Sequence, residues 1–324
     1  MTTYKGIKGF NIQTVSSDPP APFTGQLWYN STSATVKYSG IGSASWATGQ
    51  ILSNVPRTKA EGSGTTTAAL AVGGEVSGSK SNSTEEYNGS SWTAGGNLAS
   101  ARTASTGFGL QTASLLAGGS LPPYTNITEE YNGSSWTNGG NLPSIRFYLA
   151  GCGTQTAGLA FGGYVPPGFA YTLATDEYNG SAWTSGGNLN TLRESPGGAG
   201  TQTAALAFGG YNDPGGSLTA TEEYNGSAWT TVPATMGTGT SNFASDGTST
   251  SAFAAGGNAG GSPTNIAQLY DGTSWSQTSN MVAATNSNRG VGNATAAITF
   301  GGSPSNITQE FTGAAPATFT VGTD

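Results

Sequence analysis

One unit runs through this chain six times, and a Gly-Gly pair marks each copy: Gly73/Gly74, Gly118/Gly119, Gly162/Gly163, Gly209/Gly210, Gly256/Gly257 and Gly301/Gly302. Successive pairs lie 45, 44, 47, 47 and 45 residues apart. A period of that size belongs to propellers and solenoids, where each unit buries its apolar face only against its neighbours. Equivalent units make a rigid display surface, so differences between copies carry the functional information.

Each pair closes a short run: Leu70-Ala71-Val72, Leu115-Leu116-Ala117, Leu159-Ala160-Phe161, Leu206-Ala207-Phe208, Phe253-Ala254-Ala255 and Ile298-Thr299-Phe300. Bulky and small residues mostly alternate, the signature of a strand packed between sheets. A Tyr follows, then a Trp five residues later, in Tyr87/Trp92, Tyr131/Trp136, Tyr178/Trp183, Tyr224/Trp229 and Tyr270/Trp275. Asn-Gly or Asp-Gly between them predicts a tight hairpin in which both residues take positive φ. Recurring at fixed spacing, each Trp is expected in the core rather than on a sugar. Arg57, Arg102, Arg146 and Arg193 each stand 16 residues before a Gly pair. That interval holds a strand, a tight turn such as Gly153-Thr154-Gln155-Thr156, and a returning strand. Each unit therefore has four antiparallel strands.

The order Arg, Gly-Gly, Tyr, Trp resembles the kelch repeat over residues 41 to 315. The resemblance implies an all-β, six-bladed kelch-like β-propeller whose four-stranded antiparallel blades circle a channel, with the first strand innermost. Gly197, Gly198, Ala199 and Gly200 suit that crowded strand. In the last copy Phe311 replaces Tyr and Pro316 stands near the place of Trp, while Trp46 follows no Gly pair. The Trp46 strand is expected to complete the Gly301 blade, which hides the edges. The rival is a fourth strand from Thr318 to Val321. The expected organisation is an extended N-terminal arm with a short β-hairpin over 1–40, a propeller over 41–315, and a tail over 316–324.

Composition excludes several function classes. Net charge is -7 with ten Lys and Arg in all, too few for a nucleic-acid surface. No stretch is long and apolar enough for membrane insertion, and MTTYKGIKGF lacks the apolar run of a signal peptide. Cys152 is the one cysteine, so no internal disulfide forms, and it reads as a packed side chain. With zero His, Ser-His-Asp and Cys-His catalysis and His-bearing zinc or copper sites are excluded. Galactose oxidase shares the kelch propeller, but its copper chemistry needs histidine ligands. The expectation is a non-enzyme with no catalytic residue, metal ligand or cofactor.

Carboxylate-only chemistry is the remaining enzymatic route. The acids come as neighbours, Glu85/Glu86, Glu129/Glu130, Asp176/Glu177 and Glu222/Glu223, each before a Tyr. Strand neighbours point to opposite faces, so no pair forms a dyad by itself. One member of each is expected to meet an Arg in a scaffold of ion pairs. The alternative leaves Arg57, Arg102, Arg146 and Arg193 open to anionic ligands. Asp213 and Asp246-Gly247 read as turn formers.

Ahead of the repeats, Asp18-Pro19-Pro20-Ala21-Pro22 breaks regular structure, and Gly25-Gln26-Leu27-Trp28-Tyr29-Asn30 leads through a polar turn to Val36-Lys37-Tyr38. This segment resembles the N-terminal segments of virion appendage proteins of tailed bacteriophages, especially marine ones. That implies attachment to other virion proteins through Lys8, Trp28, Tyr29 and Asn30. Variation between copies concentrates in the connections after each Gly pair. Tyr124, Tyr164, Phe169, Tyr171, Tyr211 and Asp213 are the candidate recognition residues there, for sugar or protein. The expected function is a virion structural protein, a tail or head fibre or decoration, that displays a propeller to a host-surface glycan or protein. The alternatives are a polysaccharide-binding or carboxylate-dependent glycan-degrading protein, and a cellular kelch-type adaptor.

Overall fold

The structure, a computed structural model, describes residues 12–20, 26–52, 57–121, 124–304, 307–314 and 316–321; Lys8 lies outside them. The described residues form strands and connections, with no helix among them. They fall into two compact units, 45–312, and 1–44 with 313–324.

The larger unit contains six four-stranded antiparallel sheets, an all-β arrangement consistent with a β-propeller. Sheets I to V lie within 61–94, 106–138, 150–185, 197–235 and 244–277. Sheet VI takes Arg289–Gly292, Ala296–Phe300 and Gln309–Thr312, and its fourth strand is Ser45–Thr48, with Trp46 opposite Phe311. The rival fourth strand and the expected tail are both corrected: Pro316–Thr320 pairs with Thr35–Ile41 in the smaller unit. The hairpins also differ from expectation. Tyr87 pairs with Trp92, so the loop holds four residues, and only Gly89 has positive φ. Asn88 acts instead through its side-chain oxygen, which accepts from the amides of Ser90 and Ser91.

Alternation along the third strand assigns the acid pairs. In sheets I to IV the first acid turns inward to the arginine: Arg57 meets Glu85, Arg146 meets Asp176, Arg102 donates to Glu129 at 2.5 Å and Arg193 to Glu222 at 2.7 Å. All eight side chains are buried. Burial pulls the Arg146 guanidinium below its ordinary pKa and pushes the Asp176 carboxyl up. Each member's partner therefore offsets the cost of burying its charge. The second acid faces the neighbouring sheet. Tyr131 donates its hydroxyl to Glu86 at 2.5 Å, Tyr224 to Glu177 at 2.5 Å, Tyr270 to Glu223 at 3.0 Å and Tyr87 to Glu310 at 2.8 Å, and Tyr178 bonds Glu130. The Trp indoles make a second latch across the same junctions. Trp92, Trp136, Trp183, Trp229 and Trp275 donate to Thr308, Thr84, Thr128, Thr175 and Thr221.

Sheets V and VI change these positions in concert. The acid that meets Arg becomes Gln268 and Gln309, and the Arg position becomes Thr240 and Thr285. The amides then bond the backbone, Gln268 with Thr238 and Gln309 with Ala283. At the junction of V with VI, Leu269 stands for the second acid, Phe311 for Tyr and Ala267 for Thr. Trp46 Nε1 is accordingly buried without a partner among the described residues.

Before the first strand of each sheet stands one residue in the left-handed region: Lys59, Ala104, Tyr148, Ser195, Asn242 and Ser287, with φ from 46° to 56°. Their backbones are linked in series. Tyr148 N donates to Ala104 O, Ser195 N to Tyr148 O, Asn242 N to Ser195 O, Ser287 N to Asn242 O, and Lys59 N back to Ser287 O. The Gly pairs lie close by under tight constraint. A Cβ on Gly162, at φ 67°, would sit 2.9 Å from the Arg193 carbonyl oxygen.

In the smaller unit Leu27–Asn30 and Thr35–Ile41 form the expected hairpin, but the arm ahead of it is a strand too: Gln13–Val15 pairs in parallel with Leu27–Asn30. Asp18 organises this sheet. Its carboxylate accepts from Lys37 at 2.7 Å, Asn30 at 2.7 Å and Trp28 Nε1 at 3.1 Å, and these bonds hold its pKa down at about 2. Trp28 and Asn30 are buried within this sheet, while Tyr29 is half-buried on the other face.

Two outcomes follow. Arg102→Ala strands the Glu129 carboxylate and should lower unfolding free energy by about 3–5 kcal/mol in urea titration. Arg102→Thr with Glu129→Gln copies sheets V and VI and should recover most of that loss. Asp18 has a folded pKa below its ordinary 3.8, so its contribution is complete above pH 4 and lost as pH falls toward 2. Exchange protection of the Trp28 indole N–H should fall over that window, and Asp18→Asn should remove the pH dependence.

Candidate recognition surface

The connections after the Gly pairs are short, and in sheets I, III, IV and V they fold into hairpins with two-residue strands, including Tyr164–Val165 with Ala170–Tyr171, Tyr211–Asn212 with Gly216–Ser217, and Asn258–Ala259 with Ser262–Pro263. Each is tied to its sheet by one recurrent pairing. The residue after the Arg position bonds the residue after the Gly pair: Thr103 with Ser120, Phe147 with Tyr164, Glu194 with Tyr211, Ser241 with Asn258, Asn286 with Ser303. The geometry is constant while the side chains vary, so sheets II to IV acquire an aromatic surface from ordinary scaffold positions.

Four of the expected recognition residues come together. Phe147 lies at the centre of the group, with Tyr124 stacked at a centroid distance of 4.3 Å, Tyr164 at 5.5 Å, Tyr148 at 5.6 Å and Phe169 edge-on at 5.8 Å. Tyr171 joins through Tyr164 at 4.7 Å. Phe147 is buried and braces the others, whereas Phe169 at the hairpin tip is 53% exposed. Edge-on packing of rings leaves faces available to a ligand while fixing their orientation. Tyr211 stands on the next hairpin and Asp213 is exposed at its tip, outside the ring contacts.

Glu194 adds the polar element. It bonds Tyr164, yet burial among the hairpins pushes its carboxyl up to about 7. Burial together with the Tyr171 hydrogen bond also raises the Tyr164 hydroxyl. A carboxyl beside oriented rings can accept from hydroxyl or amide donors of a ligand. Reading the sequence by its connections missed Phe147, Tyr148 and Glu194, because they precede the strand rather than follow the Gly pair. The signal was the residue after each Arg position: Thr58, Thr103, Phe147, Glu194, Ser241 and Asn286.

Other candidate chemistry is consumed inside the sheets. The four arginines are buried on their acids, so an anion-facing ring has no exposed guanidinium to use. Cys152 is buried, and burial drives its thiol pKa up, away from nucleophilic behaviour. Asp246 is not a turn former. It lies within Ala244–Thr248, accepts from Gly292 N at 2.9 Å, and burial raises it to about 7. Among the described residues no group of three His, Cys, Asp or Glu is placed to hold a metal. No protein-family model matches the chain, and a search of curated proteins finds no match.

The pH behaviour of Glu194 is testable. Its folded pKa lies above the ordinary 4.5, so ionising it costs stability as pH rises from 4.5 through 7. Glu194→Gln should raise the melting temperature at pH 8 relative to the native chain and leave it nearly unchanged at pH 4.5.

Proposed function

We propose that this chain is a non-enzymatic structural protein of a tailed-bacteriophage particle, in which a six-bladed, kelch-like β-propeller displays the aromatic hairpin surface toward a host-surface glycan or protein. The observation that carries the reading is the division of labour among repeated and unrepeated residues. Arg, acid, Tyr and Trp are spent on contacts within and between sheets, while Phe147, Tyr148, Tyr164, Phe169, Tyr171 and Glu194 are peculiar to sheets III and IV.

Ring closure is supported by three features. The backbone series returns from Ser287 to Lys59, Tyr87 and Trp92 of sheet I bond Glu310 and Thr308 of sheet VI, and a strand from the start of the repeats completes sheet VI. Closure removes the free edges that an open stack would expose. The smaller unit, with its Asp18–Trp28–Asn30 network, is the part assigned to attachment on other virion proteins, by the resemblance of its motif to phage appendage segments.

Mass spectrometry of purified particles should find the chain in stoichiometric amounts; its absence overturns the virion assignment. Phe169→Ala with Tyr171→Ala should weaken binding to host cells or their extracted glycans at least about tenfold, with an unchanged melting temperature. Release of reducing ends from that glycan, abolished by acid substitutions, would instead make the protein an enzyme.

A further inference from the structure

The turn between the first and second strands of a sheet carries a glutamine in three copies, and each one plugs the junction with the preceding sheet. Gln111 Nε2 donates to the carbonyls of Ala69 at 3.0 Å and Tyr87 at 2.7 Å. Gln155 reaches Ser114 at 2.9 Å and Tyr131 at 2.8 Å, and Gln202 reaches Gly158 at 3.1 Å and Tyr178 at 2.8 Å. The two acceptors are always cross-strand partners, as in Gly158 opposite Tyr178. One carboxamide thus bridges two adjacent carbonyls, and the recess is a receptor for an NH2 group.

At the junction of sheets IV and V the same turn position is Ser249, whose side chain is too short to bridge. The equivalent carbonyls belong to the paired residues Ala205 and Tyr224, and no side chain of the described residues donates to either. An open recess of about 380 Å³ lies at this place, with Ala205, Tyr224, Glu223, Ser249, Thr250 and Gly272 among its walls. Backbone carbonyls and the Glu223 carboxylate make that wall rich in acceptors, which disfavours an anion. The plug is missing at two further junctions, where Thr66 and Ala294 occupy the turn position.

We propose that the recess between sheets IV and V is a binding site for the primary carboxamide of a glutamine presented on a turn of a partner polypeptide. The chain itself identifies the occupant, because three copies of the recess are filled by a glutamine of a Thr-Gln-Thr or Leu-Gln-Thr turn. Each hydrogen bond contributes modestly in water, so a lone peptide binds weakly and gains affinity within a larger interface. The site is separate from the aromatic surface, and its test does not depend on the virion assignment.

The probe is the blocked tripeptide acetyl-Thr-Gln-Thr-amide, titrated into the full chain while amide chemical shifts of Ser249, Thr250 and Tyr224 are followed. These shifts should move, and the Thr-Glu-Thr and Thr-Lys-Thr peptides should move them at least about tenfold less effectively. Ser249→Gln supplies the plug in cis and should weaken the peptide at least about tenfold while raising the melting temperature. No perturbation by the glutamine peptide, equal response to the glutamate peptide, tighter binding of the lysine peptide, or undiminished binding in Ser249→Gln each overturns the proposal. Should Ser249→Gln fail to fold, the three peptides on the native chain still decide it.

Discussion

The larger unit depends on one geometric constraint: two adjacent acids on a strand must face opposite ways. Glu129 points into its own sheet and neutralises Arg102, while Glu130 accepts from Tyr178 of the next sheet. A single Glu-Glu-Tyr sequence thereby serves a sheet's interior and both of its junctions. Charge-assisted bonds from tyrosine to carboxylate are each stronger than neutral ones, and they recur at five junctions. Adding the Trp-to-Thr bond gives every one of those junctions two latches on a packed aromatic core.

The same constraint explains the exceptions. A buried carboxylate without its arginine is costly, so sheets V and VI replace both members together, with glutamine and threonine. The junction between V and VI loses its tyrosine, second acid and threonine at once, leaving the Trp46 indole unpartnered. The joint loss of tyrosine and acid is what pairwise interactions predict, since half of a buried polar pair is worse than none, whereas the Trp46 indole keeps its place without the threonine. Sheet VI also receives the strand from the start of the repeats, whose Trp46 ring packs on its cross-strand partner Phe311 at 5.1 Å.

Much of this was legible from spacing. The Gly pairs, the Tyr-to-Trp interval and the Arg interval lead to four strands per unit, to buried Trp, and to an ion pair for one acid of each doublet. Trp46 was placed by elimination, as a lone fourth strand beside a unit without one. Other features were hidden. Asn88 reads as a positive-φ residue, but its side chain caps the loop instead, a choice between two known uses of Asn that spacing cannot make. Asp246-Gly247 looks like a turn, yet register places the aspartate at the middle of the strand, opposite Phe253. Pro316–Thr320 looks like a tail because its partner, Thr35–Ile41, lies at the far end of the chain.

The candidate surface divides in the same way. The sequence by itself determined that Tyr124, Tyr164, Phe169 and Tyr171 fall in the unequal connections, because departures from a repeat are visible without coordinates. Only tertiary structure decided that they converge on Phe147, that Glu194 sits beside Tyr164, and that Ser249 leaves a recess where three glutamines fill theirs. Periodicity is a property of the chain and survives in one dimension. Contact between neighbouring copies is set by the packing of sheets some 45 residues apart in sequence, and only the folded chain brings those side chains together.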